Sequence, residues 1–274
     1  MSMTAAHRPS ALRRPLEGRV AVVTGSTSGL GLGIAESLAE QGASLVLNGF
    51  GDPADIEQTR DTLAALHAVE VHYSAADLSA PEQICELAAF ARDVAGPIDI
   101  LVNNAGLQHQ APVGEFPTAK WDAILAVNLS SAFHAIKAVL PQMAERGFGR
   151  IVNIVSAHGL VASPFKSACV AARHGVIGLT KTVALETART GVTCNAICHG
   201  HVWTPRVEHQ VADQARALGM TPEQVVADVL LAAQPNRRFA SVEEIGALTA
   251  FLCGHGGASI TGAALSVDGG WTAQ

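Results

Sequence analysis

Aromatic residues are scarce in this chain, at 4% of 274 residues, whereas 49% of the residues are hydrophobic and 26 are glycine. Few rings and many Ala, Val and Leu side chains suit helices packed closely on a parallel sheet, whose buried strands are continuous aliphatic runs. The length is sufficient for one large domain with a well-buried core. Composition therefore favours a compact α/β protein.

Basic residues are also few, because 18 Lys and Arg oppose 24 Asp and Glu and leave a net charge of −6. The chain has no basic stripe interleaved with aromatic residues, which argues against a nucleic-acid partner. Its longest apolar stretches are strand-sized and interrupted, short of the ~20 residues that span a bilayer, so we expect no membrane partner. Residues 1–17 lack the apolar segment of a secretory signal. We interpret them as a flexible leader, with a transit peptide as the minor alternative.

Disulfides are not expected, because the five cysteines are odd in number and scattered through a large domain. Reduced thiols in a cytoplasmic protein fit this pattern better than a disulfide framework. Two of the thiols, with two nearby histidines, have the side-chain types of a metal site: Cys194, Cys198, His199 and His201. On a strand, however, Cys194 and Cys198 would lie ~13 Å apart, too far to share one ion. We therefore predict core thiols and no metal.

Short aliphatic runs alternate with helical patterns along almost the whole chain. The runs are 20–23, 44–47, 69–73, 98–102, 151–155, 193–197 and 265–267. Such alternation predicts right-handed βαβ crossovers, and hence a Rossmann-type doubly wound parallel sheet of about seven strands in a single domain, residues 18–274. A polar helical insertion at about 205–236 departs from this alternation, near the carboxyl ends of the strands, where ligands bind in open α/β sheets. It is interpreted equally well as a lid over substrate or as plain structural covering.

A glycine-rich turn follows the first strand and precedes an amphipathic helix. Its residues include Thr24, Gly25, Ser28, Gly29, Leu30 and Gly31. Glycines allow a sharp turn and close approach to a pyrophosphate, and the helix N-terminus offers free N–H groups. The spacing is Gly-x-x-x-Gly-x-Gly. Glycine turns often serve geometry alone, but this position indicates a dinucleotide cofactor.

Cofactor choice should depend on the end of the second strand, where an acid binds the ribose hydroxyls of NAD. Here Asn48 replaces the acid, Phe50 follows, and neither Arg nor Lys stands nearby to neutralise a 2′-phosphate. This pattern favours NAD over NADP. Asp77 and Leu78, after the third strand, are candidates to hold the adenine amino group. The alternative is that they belong to the N-cap region of a helix.

Several motifs at the ends of strands carry a specific resemblance. They are the turn 24–31, Asn103 to Gly106 after the fourth strand, Asn128 in the next helix, Ser156 after the fifth strand, Thr204, and Asp268 to Gly270. Over residues 16–274 the chain thereby resembles the short-chain dehydrogenase/reductase family. The resemblance implies cofactor contacts from Asn104, Ala105, Gly106, Val202 and Thr204, and catalytic roles for Ser156 and Asn128.

A narrower resemblance is to bacterial D-3-hydroxybutyrate dehydrogenases. It rests on the segments 48–51, 105–109, 156–159 and 203–205. In that family the substrate is held by residues that correspond here to Gln108, His158, Lys166, Gln210 and Trp271. The set is chemically sensible, because a lysine can pair with a carboxylate, the amides and imidazole can donate hydrogen bonds, and the indole forms an apolar wall.

The family's catalytic tyrosine and lysine are replaced here. The tyrosine position holds Cys169 and the lysine position holds Arg173, still on one helix face at a spacing of four. A cysteine ends roughly 3.5–4 Å nearer its backbone than a tyrosine hydroxyl. Arg173 can hold the nicotinamide ribose, but arginine does not deprotonate. His199, where the family usually has proline, is a third departure.

Two hypotheses follow. The first is an NAD-dependent oxidoreductase of the 3-hydroxybutyrate type with impaired proton transfer and weak residual turnover. The second is a catalytically silent protein that binds NAD and a hydroxy acid, acting as a sensor or partner subunit. The substitutions are consistent with natural descent or with an altered copy of an active enzyme. The resemblance also implies a homotetramer built through helices near 118–146 and 167–189.

Overall fold

The computed structural model describes residues 14–273. The strands of this part are β1 Val20–Val23, β2 Ser44–Asn48, β3 Val71–Ser74, β4 Ile100–Asn103, β5 Gly149–Ser156, β6 Val192–His199 and β7 Ala264–Val267. The helices are α1 Gly29–Glu40, α2 Pro53–His67, α3 Pro81–Ala95, α4 Thr118–Leu125, α5 Ser131–Glu145, α6 Ser167–Glu186, α7 Pro205–Leu218, the short α8 Pro222–Gln224 and α9 Val242–Cys253.

The strands form one parallel sheet in the order β3-β2-β1-β4-β5-β6-β7. The order confirms the predicted doubly wound fold. The chain reverses its direction of travel across the sheet between β1 and β4. At such a point the crossovers leave on opposite faces, and a crevice opens beyond the carboxyl ends of the strands.

Alternate residues of the central strands face two separate cores. Ala21 and Val23 of β1 pack with α1 and α9, whereas Val22 packs with α3 and α5. This burial on both faces explains why the strands are aliphatic without a polar alternation. The two cores hold the sheet rigid between helical layers, so the strand ends are fixed relative to one another.

The folded domain begins before the predicted boundary at residue 18. The Leu16 side chain is 1% exposed in the core, and its N–H donates to Gln41 O at 2.9 Å. The prediction of a flexible leader is therefore wrong for Leu16, because a flexible leader would leave this side chain exposed to solvent. Residues 1–13 of the predicted leader lie outside the described residues. β3 and β4 also begin two residues later than predicted, at Val71 and Ile100.

The segment Thr118–Glu145 is one continuous helical rod that includes α4 and α5. By length and composition alone it could cross a membrane, which our sequence analysis did not anticipate. One face packs on the sheet through residues such as Ile136 and Met143. Between the two helices, residues 126–130 widen into a π turn that turns the buried Asn128 toward the crevice. A cytoplasmic location stays a prediction.

The insertion at 205–236 is helical, as predicted. It comprises α7, α8 and a second π turn, Val225–Leu230, and it has its own small core of Val211, Ala215, Val225 and Leu230. Only one face of α7 reaches the crevice. The insertion is thus a separately packed unit along one wall of the crevice.

Candidate active site

A cleft of about 510 Å³ opens at the carboxyl ends of the strands, where a crevice is expected. Its volume is within the usual range of ligand sites. Lys166 and Arg173 are its cations, and among the described residues that line it none carries a carboxylate. The cleft is therefore suited to anionic ligands.

The glycine turn forms one wall and has no room for side chains. A Cβ on Gly31 would lie 2.1 Å from the Gly25 carbonyl oxygen and 2.4 Å from Asn104 Nδ2. Gly25 and Gly29 have φ of +62° and +58°, a region that favours glycine. Ser28, the N-cap of α1, makes no side-chain capping bond, so the first N–H groups of the helix face the cleft. This cradle fits a pyrophosphate.

Two residues predicted to bind the cofactor do not line the cleft. Thr24 is buried, and its hydroxyl donates to Val102 O and accepts from Asn104 N. The Asp77 carboxylate accepts from Ser79 N at 2.8 Å, which lowers its pKa below the ordinary value. The cofactor contacts of these two side chains stay predictions, and the hydrogen bond from Ser79 N favours the alternative that Asp77 belongs to the N-cap region of a helix.

The end of β2 forms the far wall of the cleft. Asn48 is buried there, and its Nδ2 donates to the carbonyls of Ser74 and Ala76, while Oδ1 has no hydrogen-bond partner among residues 14–273. Phe50 is exposed beside it, and Leu78 closes the opposite side. This wall offers an amide oxygen and apolar surface rather than a charge.

The centre of the cleft is built around the backbone of Leu107. Its N–H donates to Asn128 Oδ1 at 2.7 Å, and its carbonyl accepts from Asn128 Nδ2 at 3.0 Å. The same carbonyl accepts from Cys169 Sγ at 3.6 Å, and the thiol is 8% exposed. Asn128 therefore fixes this loop, while the Cys169 thiol is held against it.

Arg173 lies one helical turn beyond Cys169 and reaches under the cofactor cradle. Its guanidinium donates to the Ile154 carbonyl, at the end of β5. A Cβ on Gly106 would lie 2.9 Å from Arg173 Nη2, so the guanidinium lies directly against this glycine. The position is suitable for holding a ribose, as the resemblance implies.

Ser156 ends β5 directly beside His199, its register partner on β6. Its hydroxyl lies 3.2 Å from His158 Nδ1 and accepts from the His158 N–H at 3.3 Å. Burial, and then the charge of Lys166, lower the pKa of His158 to about 3. Burial likewise lowers the pKa of His199 to about 4. Both imidazoles are neutral at physiological pH.

The remaining wall carries the five residues predicted to hold substrate. Gln108, His158, Lys166, Gln210 and Trp271 all line the cleft. The Trp271 ring meets His158 edge-on at 5.1 Å, and burial lowers the pKa of Lys166. The Asp268 carboxylate accepts from Thr272 N and so fixes the turn that carries Trp271.

The geometry agrees with the comparisons with known proteins. A family model described as short chain dehydrogenase matches residues 19–215. The chain is a short-chain dehydrogenase.

Its relatives include two D-beta-hydroxybutyrate dehydrogenases. That of Rhizobium meliloti (strain 1021) is 54% identical over 93% of this chain and 99% of its own length. That of Cupriavidus necator is 49% identical over 94% of this chain and all of its own length. The structure of actinorhodin polyketide ketoreductase with NADPH matches 93% of this chain and 98% of its own, with a TM-score of 0.87 at 34% identity. L-Sorbose reductase from Gluconobacter frateurii, complexed with NADPH and L-sorbose, has a TM-score of 0.90 at 28% identity.

As a short-chain dehydrogenase the protein is an oxidoreductase, and its cleft takes a nicotinamide cofactor. Gly25, Ser28, Gly29, Leu30, Gly31, Phe50, Leu78, Asn104, Ala105, Gly106, Arg173, Val202 and Thr204 are the predicted cofactor residues that line it. Thr204 also accepts from Val207 N and thereby caps α7. The predicted insertion thus begins at a cleft residue.

Sequence reasoning missed His201 as a residue of this dehydrogenase's cleft, having weighed it only as a metal ligand. Its ring stacks on Trp271 at 5.5 Å, and burial lowers its pKa to about 4. The position of His201, two residues after β6, was the available signal. The thiols of Cys194 and Cys198 are buried in the sheet, and burial raises their pKa values to about 12 and 11. They are core thiols, as predicted.

Proposed function

We propose that this chain is an NAD-dependent dehydrogenase of the D-3-hydroxybutyrate type, which interconverts D-3-hydroxybutyrate and acetoacetate with impaired turnover. The observation that carries the proposal is that Lys166 lines one cleft with the Ser156–His158 pair, and that none of the described residues lining this cleft carries a carboxylate. A short hydroxy acid has a hydroxyl and a carboxylate a few atoms apart, which matches this pairing. The two D-beta-hydroxybutyrate dehydrogenase relatives support the same substrate class.

Each side chain has a defined part in such a reaction. Lys166 pairs with the substrate carboxylate, Gln108 and Gln210 donate hydrogen bonds to it, and Trp271 packs on the methyl group. Ser156 binds the oxygen that changes between hydroxyl and carbonyl. Arg173 holds the nicotinamide ribose. The nicotinamide supplies or accepts the hydride when the cofactor is bound.

Impairment follows from the residue at the proton-transfer position. The Cys169 side chain is short and its thiol donates a hydrogen bond to the Leu107 carbonyl, so we expect that it does not reach the substrate oxygen. Arg173 does not give up a proton near neutral pH, which prevents a relay through it. Loss of a general acid or base costs typically ~10²–10⁴-fold in rate.

The same thiol contact favours a second candidate, a silent protein that binds cofactor and hydroxy acid without turnover. In that role Lys166 and the glycine cradle would act as binding groups alone. The two candidates differ in whether the rest of the site is still arranged for hydride transfer. Restoring the missing groups distinguishes them.

NAD is the proposed cofactor. Among the described side chains, the cations that line the cleft are Lys166 and Arg173, which we assign to the nicotinamide end, and we assign Asn48 and Phe50 to the wall where a 2′-phosphate would sit. A 2′-phosphate bound at this wall would lose its hydration, and no ion pair would compensate for that loss. We expect NAD to support faster turnover than NADP in any active variant.

The test is NADH formation from D-3-hydroxybutyrate at pH 8, with the parent beside the double variant Cys169→Tyr/Arg173→Lys. We expect the double variant to exceed the parent by at least ~10²-fold, the lower limit of a general acid–base contribution. Equal and rapid turnover in both would contradict the impairment. An inactive but folded double variant that still binds NADH would favour the silent binding protein.

A homotetramer is also proposed. Phe133 on α5 is 47% exposed and Leu185 on α6 is 80% exposed, so the long helices carry apolar surface that a partner subunit could cover. Light scattering on the purified protein should give about four times the 28.3 kDa chain mass. A monomer mass would refute the assembly without affecting the proposed reaction.

A further inference from the structure

The cleft contains a hydroxyl–imidazole pair that the family's tyrosine chemistry does not use. Ser156 Oγ lies 3.2 Å from His158 Nδ1, and the His158 residue is 9% exposed. On the other side of the ring, Nε2 is buried and has no hydrogen-bond partner within residues 14–273. An orphaned nitrogen in a buried ring that lines a cleft points to a ligand group as its partner.

Hydrogen-bond capacity determines how the pair is used. A serine hydroxyl has one donor and two acceptor sites. The His158 N–H takes one acceptor of Ser156, at 3.3 Å. In the tautomer whose Nδ1 carries no proton, the hydroxyl proton is donated to Nδ1 across the 3.2 Å contact. The second acceptor is then directed to a substrate hydroxyl. This arrangement leaves the proton of the neutral imidazole on Nε2, where it can be donated to a carboxylate.

We propose that Ser156 and His158 form a proton relay, completed by the carboxylate of the bound 3-hydroxy acid, that takes the substrate hydroxyl proton in place of the residue at position 169. The proposal rests on the proposed function. In oxidation a bound nicotinamide would supply the acceptor for the hydride of the C3–H bond, which breaks. The O–H proton passes to Ser156 Oγ as the serine proton passes to His158 Nδ1, and C3–O becomes a carbonyl. His158 returns the proton to solvent, and reduction runs the same steps backwards.

Electrostatics make this relay dependent on the substrate. The titratable and charged groups that face His158 are Lys166 and Arg173, which are cationic, and His199 and His201. Burial and these neighbouring groups together lower the pKa of His158, so the imidazole does not take a proton when no substrate is bound. A substrate carboxylate between Lys166 and Nε2 supplies the opposite charge that stabilises an imidazolium. His158 thus becomes a base when a carboxylate ligand is bound.

The kinetic test compares His158→Gln in two backgrounds, the parent and the double variant Cys169→Tyr/Arg173→Lys. Glutamine keeps a hydrogen-bonding amide but does not titrate. In the parent we expect kcat for D-3-hydroxybutyrate to fall by about 10²-fold, the lower range for a general base. In the double variant, where tyrosine moves the proton, the loss should be under about tenfold, while KM rises in both. Thermal unfolding of all four proteins controls for folding.

The outcomes separate the two proposals. An equal fold-loss of kcat in the two backgrounds, or parent turnover that His158→Gln leaves unchanged, overturns the relay while the proposed function stands. Failure of the double variant to oxidise D-3-hydroxybutyrate overturns the proposed function itself. In the parent, Ser156→Ala should cost as much as His158→Gln, and the combination no more than either, because the two residues act as a unit.

A second readout needs neither cofactor nor turnover. In ¹⁵N-histidine NMR of the parent, His158 should be neutral with its proton on Nε2, and acetoacetate should raise its pKa by about one unit or more. Lys166→Met should make the free His158 easier to protonate, because it removes the cation that lowers the His158 pKa most. A His158 signal that acetoacetate does not change would overturn the substrate dependence.

Discussion

The glycine cradle permits a quantitative test through Gly31→Ala. The new Cβ would lie 2.1 Å from the Gly25 oxygen and 2.4 Å from Asn104 Nδ2, far inside contact distance. Neither neighbour can withdraw easily. Asn104 Nδ2 donates to the carbonyls of Thr24 and Gly25, and Ala105 lies so close to Gly25 that a Cβ there would be 2.9 Å from the Ala105 Cα. The start of α1 must therefore move away from the cleft.

The expected magnitude has two parts. Overpacking costs about 1–3 kcal/mol, which corresponds to a Tm lower by about 2–12 °C for a domain of this size class. Displacing the first turn of α1 weakens a charge-assisted bond to the pyrophosphate, worth ~1.5–3 kcal/mol or roughly 10- to 150-fold in Kd for NADH. Thermal unfolding and NADH fluorescence titration measure the two effects separately.

The matched control is Gly114→Ala. Gly114 is exposed, lies outside the cleft, and has nothing within 4 Å of an added Cβ. A substitution at such an exposed position should change the free energy of unfolding by less than about 0.5 kcal/mol and leave the affinity for NADH unchanged. If Gly31→Ala keeps the parent's Tm and affinity, the cradle is looser than its geometry indicates and the reasoning fails.

Three further predictions concern charge. Asp99→Ala should lower the free energy of unfolding by about 1–3 kcal/mol in urea titrations, because it leaves the buried Val20 N–H without its acceptor and removes the carboxylate that the partly exposed Arg19 and Arg146 contact; an unchanged midpoint would refute this. In the double variant, Lys166→Met should raise KM for D-3-hydroxybutyrate roughly 10- to 150-fold with little change in Tm, and a KM within twofold of that of the double variant would exclude the carboxylate role. Stability should fall as the pH falls from 6.5 toward 4, because His201 has its pKa lowered from 6.5 to about 4 and the unfolded chain binds the proton first. His201→Gln should flatten that part of a Tm-against-pH curve, and an equally steep curve would count against it.

Most of the scaffold could be predicted, because it depends on local patterns. Aliphatic runs such as 20–23 form buried strands, and the alternation with helices leads to a parallel sheet by the handedness of βαβ crossovers. The glycine turn was predictable because φ values of +62° at Gly25 and +58° at Gly29 are open to few other residues. Strand ends then placed Ser156 and Asn104 at one edge.

The substrate wall was predictable only through resemblance. Lys166 and Trp271 are separated by more than one hundred residues, and no spacing rule brings them to one cleft. Once the sheet and the turn held by Asp268 are formed, they lie on the same wall with His158. The cofactor contacts of Thr24 and Asp77 stay predictions, and in the structure nearer backbone groups form hydrogen bonds with both side chains.

The sequence by itself thus determined the strand and helix order, the anion-binding turn and the residue types at the family positions, because backbone periodicity and glycine geometry are local properties. Only the tertiary structure decided which side chains are available. It buried Leu16 in the core, stacked His201 on Trp271, and directed the Cys169 thiol to the Leu107 carbonyl, 62 positions away. Such partners come from distant parts of the chain, and hydrogen-bond capacity and burial are set when those parts meet.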